Sequence, residues 1–114
     1  MYSNAVRARF DGLRSIPFGS ISGTYALIDS PLNFPCRIIK LVNTTDGEVL
    51  ISVNGIDDHD VIPAGGFVLY DATANRSDMG GVFLFAEGDR FYVKSDAALT
   101  SGTVYLTTIF GSTF

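Results

Sequence analysis

The sequence predicts an all-β fold, a single-domain antiparallel β-sandwich or jelly-roll-like barrel of about eight strands with an N-terminal arm. Three observations support this. Short apolar runs recur along the chain at spacings of about 8–12 residues, Gly, Pro and Asp-Gly turn signals separate them, and no stretch has a clear helical period. A chain of 114 residues forms one domain, in which we assign residues 1–15 to the arm and 23–111 to the core.

The strands are predicted from runs rich in β-branched and aromatic residues, each bounded by turn residues. In chain order they cover residues 24–28, 37–43, 48–53, 61–62, 67–70, 82–85, 90–94 and 103–110. In the third run Val49, Ile51 and Val53 alternate with Leu50 and Ser52, so the first three are expected to face the core. The single cysteine, Cys36, is expected to be a small buried hydrophobe.

The middle of the chain, residues 36–70, is predicted to be a β-meander. Asp46-Gly47 stands between two β-branched runs, and this pair is typical of a type I′ hairpin turn, which needs positive φ at both central residues. Further turns are expected at Asn54-Gly55 and at residues 63–66. Replacing Gly47 with Val is therefore expected to destabilise the fold.

Residues 1–15 carry Arg7, Arg9 and Arg14 against one acidic residue, whereas the rest of the chain carries five basic and eleven acidic residues. The period of this stretch is ambiguous, so helix, strand and extended arm all remain open. We expect the strands to begin after Gly23 and the arm to become ordered only in an assembly, across a neighbouring protein. The candidate partner-binding residues are Tyr2, Val6, Arg7, Arg9, Phe10 and Arg14.

No catalytic residue, metal ligand or cofactor is predicted. One cysteine excludes an intrachain disulfide and a CxxC metal site, and the only histidine, His59, stands near no Gly-x-Ser-x-Gly motif. The acidic elbow at residues 57–60 has oxygen ligands that suit Ca²⁺ but lacks EF-hand spacing, so cation binding is left open. An acidic body argues against nucleic-acid binding, and no apolar run is long enough to span a membrane.

Several strand-and-turn phrases carry a family likeness: residues 43–46, 51–55, 58–60, 62–71 and 91–94. They resemble small structural proteins of tailed-bacteriophage virions, over roughly residues 23–111. The resemblance implies a non-enzymatic β-sandwich, located in the virion, that binds other virion proteins in multiple copies and forms a homo-oligomer in the assembly. It does not distinguish capsid decoration from a head–tail neck or tail component.

The composition agrees with a subunit docked into an assembly. Charged residues make up 18% of the chain, against about 25% in typical proteins, and there are nine Phe and five Tyr. A second class is a ligand- or glycan-binding jelly roll such as a receptor-binding tip, for which Tyr92 and Tyr105 are candidate contacts on a concave face. A small enzyme is a third class, for which the sequence shows no motif.

Overall fold

The computed structural model describes residues 7–72 and 84–112. It is 46% strand and 3% helical, in two antiparallel sheets that form a sandwich, so the predicted all-β fold is confirmed. Half of the predicted strand at residues 82–85 falls outside the described residues, within which Phe85 makes an isolated bridge to Cys36. Tyr2 and Val6 of the predicted arm also lie outside them.

The chain forms nine strands and one short 3₁₀ helix in the described residues. The strands are β1 (Arg7–Phe10), β2 (Arg14–Pro17), β3 (Ala26–Leu27), β4 (Cys36–Asn43), β5 (Val49–Ser52), β6 (Asp60–Ile62), β7 (Phe67–Asp71), β8 (Tyr92–Lys94) and β9 (Thr103–Ser112), and the 3₁₀ helix is Phe18–Ser20. The larger sheet has the order β1-β9-β4-β7, with β2 also paired to β9, and the smaller sheet has the order β3-β8-β5-β6. These orders are compatible with a jelly roll, which stays a prediction.

The first two strands form one bulged edge of the larger sheet. Phe10 is paired with Ile109 and the N–H of Asp11 donates to the Thr108 carbonyl, whereas Arg14 is paired with Leu106. Two residues of the edge, 12 and 13, therefore stand opposite one residue of β9, which is a β-bulge. The prediction that strands begin after Gly23 is wrong, because pairing to the long strand β9 orders residues 7–17 despite their ambiguous period.

The core lies between the two sheets and is built by alternation along each strand. Its fully buried large side chains include Ile39, Leu41, Val49, Ile51, Ile62, Phe91, Val93, Val104 and Leu106. Cys36 is buried as expected, and so are two of the three residues predicted on the core face of β5. Val53, the third, is 50% exposed because β5 ends at Ser52.

The predicted hairpin at Asp46-Gly47 is wrong. β4 pairs with β7 and β9, whereas β5 pairs with β6 and β8, so residues 44–48 cross from one sheet to the other. Residues 63–66 make a second crossing, between β6 and β7. Of the predicted meander only the β5–β6 hairpin is present. Asp-Gly favours a tight change of direction, but it does not choose the sheet that the next strand joins.

A buried asparagine holds the two crossings together. Asn43 has no exposed surface, and its Nδ2 donates to the carbonyls of Gly47, Ile62 and Pro63 at 2.9, 3.1 and 3.1 Å. Its Oδ1 accepts hydrogen bonds from the N–H and the hydroxyl of Thr45. Since buried polar groups need partners, this side chain stabilises the crossing loops in place of a strand ladder.

Gly47 lacks the positive φ that the predicted turn requires. A Cβ at this position would stand 2.7 Å from Leu99 Cδ2 and 3.1 Å from Ala97 Cβ. Destabilisation by Gly47→Val therefore stays a prediction, with a packing clash as its cause.

Candidate functional site: the two outer faces of the sandwich

The outer side of the larger sheet carries an unusual number of apolar side chains. Ile39 and Leu41 of β4 point into the core, so the alternate residues of β4 point outward, as do those paired with them on the neighbouring strands. We call this surface the apolar face. It consists of Phe10, Ile38, Lys40, Val42, Phe67, Leu69, Asp71, Tyr105, Thr107 and Ile109.

The large side chains of the apolar face are well exposed. Phe10 is 69% exposed, Phe67 65% and Leu69 55%, and no described element packs over them. Lys40 lies between Leu69 on β7 and Thr107 on β9, near the centre of the face. It makes no ion pair within the described residues. A contiguous apolar patch with a central cation is typical of a surface that binds another protein.

A shallow groove of about 230 Å³ lies at the β1 end of this face. Its apolar floor includes Ile38 and Ile109, and Arg7 and Arg37 line it as well. Three of the candidate partner-binding residues, Arg7, Arg9 and Phe10, lie on β1, whose four residues are all exposed. Their binding to a partner stays a prediction.

Arg14 does not belong with them. Arg14 is 3% exposed. Its guanidinium donates to the carbonyl oxygens of Ser30 and Pro31 and pairs with Asp11 Oδ2 at 3.2 Å. An arginine whose donors are satisfied inside the subunit has little capacity for a partner. Its assignment as a partner-binding residue is corrected: it fixes the bulged edge to the loop before β4.

The outer side of the smaller sheet differs, because a loop of the same chain packs on it. We call residues 54–59, between β5 and β6, the acidic loop. Ser52 Oγ accepts hydrogen bonds from the N–H groups of Asn54 and Gly55 at 3.2 and 2.9 Å. Asn54 Oδ1 in turn accepts from the N–H groups of Ile56 and Asp57 at 2.8 and 2.9 Å. The loop backbone is thereby fixed.

The acidic loop is fastened to the sheet by a tyrosine and a lysine. Tyr25 Oη donates to Asp58 Oδ1 at 2.6 Å, and Lys94 Nζ lies 3.4 Å from the same oxygen and 5.0 Å from the centre of the Tyr25 ring. Partial burial and the bond to Asp58 raise the pKa of Tyr25. The bond from Tyr25 lowers the pKa of Asp58. Gly55, at φ +76°, brings the loop backbone against the ring of Tyr92.

The acidic elbow of the sequence is thus a structural loop in which most polar groups have partners. His59 Nδ1 accepts a hydrogen bond from the Val53 N–H, and the His59 N–H donates to the Ile51 carbonyl. Within residues 7–72 and 84–112, no cluster of three or more His, Cys, Asp or Glu side chains is arranged to hold a metal ion. Ile56, at the tip of the loop, differs from these polar residues because it is apolar and 79% exposed.

The structure does not bring the two candidate glycan contacts together. Tyr92 lies on the outer side of the smaller sheet under Gly55, whereas Tyr105 belongs to the apolar face of the larger sheet. Glycan binding through these two tyrosines would need two separate surfaces, and the glycan-binding class stays a prediction.

Sequence reasoning missed the apolar face, although a signal for it was present. β7 begins Phe67-Val68-Leu69-Tyr70, so both of its sides are apolar. A strand with one side in solvent alternates apolar and polar residues, whereas an apolar run on both sides indicates that each side meets a partner.

No family model, curated protein or solved structure matches this chain. No described helix has the length and apolar character needed to cross a membrane.

Proposed function

We propose that this protein is a non-enzymatic structural component of a tailed-phage virion, as capsid decoration, neck or tail subunit, which binds other virion proteins in multiple copies. The observation that carries the proposal is the apolar face. It adds to the family resemblance of the strand-and-turn phrases, which implies binding to other virion proteins but identifies no surface for that binding.

The physical argument rests on surface area and charge. Fully burying a Phe or Leu side chain stabilises by about 1.5–3 kcal/mol relative to leaving it in water. Phe67 and Leu69 still have more than half of their surface to bury, and Phe10 adds a third such side chain. A subunit that works alone has no use for such a face, whereas a subunit held permanently in a shell gains affinity from it.

The test of the proposal is quantitative mass spectrometry of purified particles from the phage that encodes the chain. The chain should be found in the particles. Several hundred copies would mean the capsid surface, and about six or twelve would mean a ring at the neck or tail. Absence from intact, infectious particles would overturn the proposal.

The surface is tested by a matched pair of variants in the same phage. Leu69→Asp places a charge in the apolar face and should sharply reduce the copies per particle. Ser20→Asp places the same charge at an exposed residue of the 3₁₀ helix, which belongs to neither sheet, and should incorporate normally. Equal incorporation of the two variants would show that the apolar face is not the docking surface.

A further inference from the structure

The tip of the acidic loop is built to present an apolar side chain. Ile56 is 79% exposed, yet the backbone that carries it is held by Asn54 Oδ1 and by the bond of Tyr25 to Asp58. An isolated exposed isoleucine on a flexible loop would need no explanation. On a fixed loop it costs little conformational entropy to bind, which is the property of a preorganised contact.

The tip and the apolar face lie on opposite outer sides of the sandwich. The acidic loop packs on Tyr92 and Lys94 of the smaller sheet, whereas Lys40 and Leu69 point away from the larger one. One copy therefore cannot place its own tip on its own face. A contact between the two surfaces joins different copies head to tail, which is a heterologous interface.

The two surfaces match in charge as well as in polarity. Lys40 stands at the centre of the apolar face, Arg7 and Arg37 line the groove at its β1 end, and Asp71 lies beside Ile38. Ile56 is followed by the carboxylates of Asp57 and Asp58. Tip against face sets an apolar side chain on an apolar surface and the carboxylate of Asp57 beside the ammonium group of Lys40.

We propose that copies of this chain associate head to tail, with Ile56 of one copy seated on the apolar face of the next beside Leu69, and with Asp57 paired to Lys40. The inference rests on the proposed function, for which it names a partner: a second copy of the same chain. In a shell or ring, repeated contacts of this kind reinforce one another, so each contact is weak in isolation.

Complementation between two blocked variants tests the geometry. Leu69→Glu blocks the face and leaves the tip, whereas Ile56→Ser with Asp57→Lys blocks the tip and leaves the face. Sedimentation velocity at protein concentrations of about 500 µM detects a contact with a Kd of about 100 µM. The wild type should form dimers and larger species that dissociate in high salt, and each variant alone should be monomeric.

The mixture of the two variants is the decisive sample. One intact tip and one intact face remain, so the mixture should form a one-to-one dimer and nothing larger. Ser20→Glu, at an exposed residue of the 3₁₀ helix, should associate as the wild type does. If Leu69→Glu unfolds, Lys40→Glu takes its place as the face variant.

Three results would overturn the inference. They are a monomeric wild type, a tip variant that still dimerises, which means face-to-face contact, and a mixture that stays monomeric. The copy number in particles separates this inference from the proposed function. A chain present in particles but monomeric in solution removes the inference alone, and head-to-tail dimers of a chain absent from particles remove the proposed function alone.

Discussion

The two outer faces of this sandwich differ in the single chain: a loop covers one, and no described element covers the other. Over the smaller sheet, the acidic loop packs on Tyr92 and is fastened by Tyr25 and Lys94. Over the larger sheet, no described element packs, and Phe67 and Leu69 stand in solvent. The same strand geometry underlies both, so the difference comes from the side chains that each strand turns outward.

The smaller sheet turns outward groups that can hold a loop. Ser52 offers a hydroxyl to two loop N–H groups, and Lys94 offers a cation to Asp58. The larger sheet turns outward mostly hydrocarbon, which holds only another apolar surface. The first face is therefore completed inside the subunit, whereas no described element covers the second. Changes to the first should cost stability, and changes to the second should cost association.

Among changes on the two outer faces, the largest expected effect is that of Gly55→Val. Gly55 has φ +76°, and a Cβ there would meet the Tyr92 ring at 3.4 Å. A β-branched residue resists this conformation, so the free energy of unfolding should fall by about 2 kcal/mol in chemical denaturation. Gly65→Val is the matched control, since Gly65 has φ +74° with nothing within 4 Å of its Cβ position. If both variants lost the same free energy of unfolding, contact between the acidic loop and the Tyr92 ring would add nothing to the cost of the positive φ.

Removing the hydroxyl beneath the loop should have the next largest effect. Ser52→Ala leaves the N–H groups of Asn54 and Gly55 without their acceptor at a buried position, and should cost about 1.5 kcal/mol. Ser15→Ala makes the same change at an exposed residue on the outer side of the larger sheet and should cost less than about 0.5 kcal/mol. Indistinguishable melting curves for the two variants would contradict the conclusion that hydrogen bonds to Ser52 hold the acidic loop on the smaller sheet.

Alkaline pH should weaken the fastening of the acidic loop. The pKa of Tyr25 is raised above its ordinary 10.0 by partial burial and by Asp58. Near pH 10 the unfolded chain loses the phenol proton that the folded chain keeps, so the stability from this group is complete below pH 10 and is lost as the pH rises further.

The expected difference is below about 1 kcal/mol, because the site is near solvent. It is measured as the fall in unfolding free energy between about pH 9 and about pH 11, which should be larger for the wild type than for Tyr25→Phe. Tyr70, which donates to Asp60 and also has a raised pKa, is present in both proteins and cancels. Parallel pH profiles would rule out a role for the Tyr25–Asp58 bond in stability.

The smallest expected effect on stability is that of Leu69→Ser. The side chain is 55% exposed already, so the free energy of unfolding should change by no more than about 0.5 kcal/mol. Leu41→Ala, on the inward side of the neighbouring strand, should cost about 3 kcal/mol because Leu41 is fully buried. A large loss for Leu69→Ser would mean that the apolar face is covered in the isolated subunit.

The sequence anticipated most of the strands but not their first two. The predicted runs at residues 37–43, 67–70 and 103–110 agree within a few residues with β4, β7 and β9. Residues 7–17 have no decisive period of their own, and their strand structure comes from pairing with β9. Local patterns cannot reveal an edge strand whose four residues are all exposed.

The sequence predicted only some residues of the candidate site. Arg7 and Phe10 were selected for charge and apolar character, and both lie beside the groove or on the apolar face. Arg14 was selected on the same grounds but is buried, because the bulge after Asp11 turns it inward toward the Ser30 and Pro31 carbonyls. Charge in a sequence does not tell which way a bulged strand points its side chains.

The sequence by itself determined the class of the fold, the approximate strands and two inward residues of β5, Val49 and Ile51, because alternation with period two depends only on the local pleat of a strand. Only the tertiary structure decided which strands are neighbours. Asp46-Gly47 crosses between sheets and does not close a hairpin, because Asn43 ties that crossing to the carbonyls of Gly47, Ile62 and Pro63. Strand pairing depends on segments that are distant in sequence. The pairing that forms is the one that buries apolar area and satisfies hydrogen-bonding groups at the same time. The same choice left Phe67 and Leu69 facing outward.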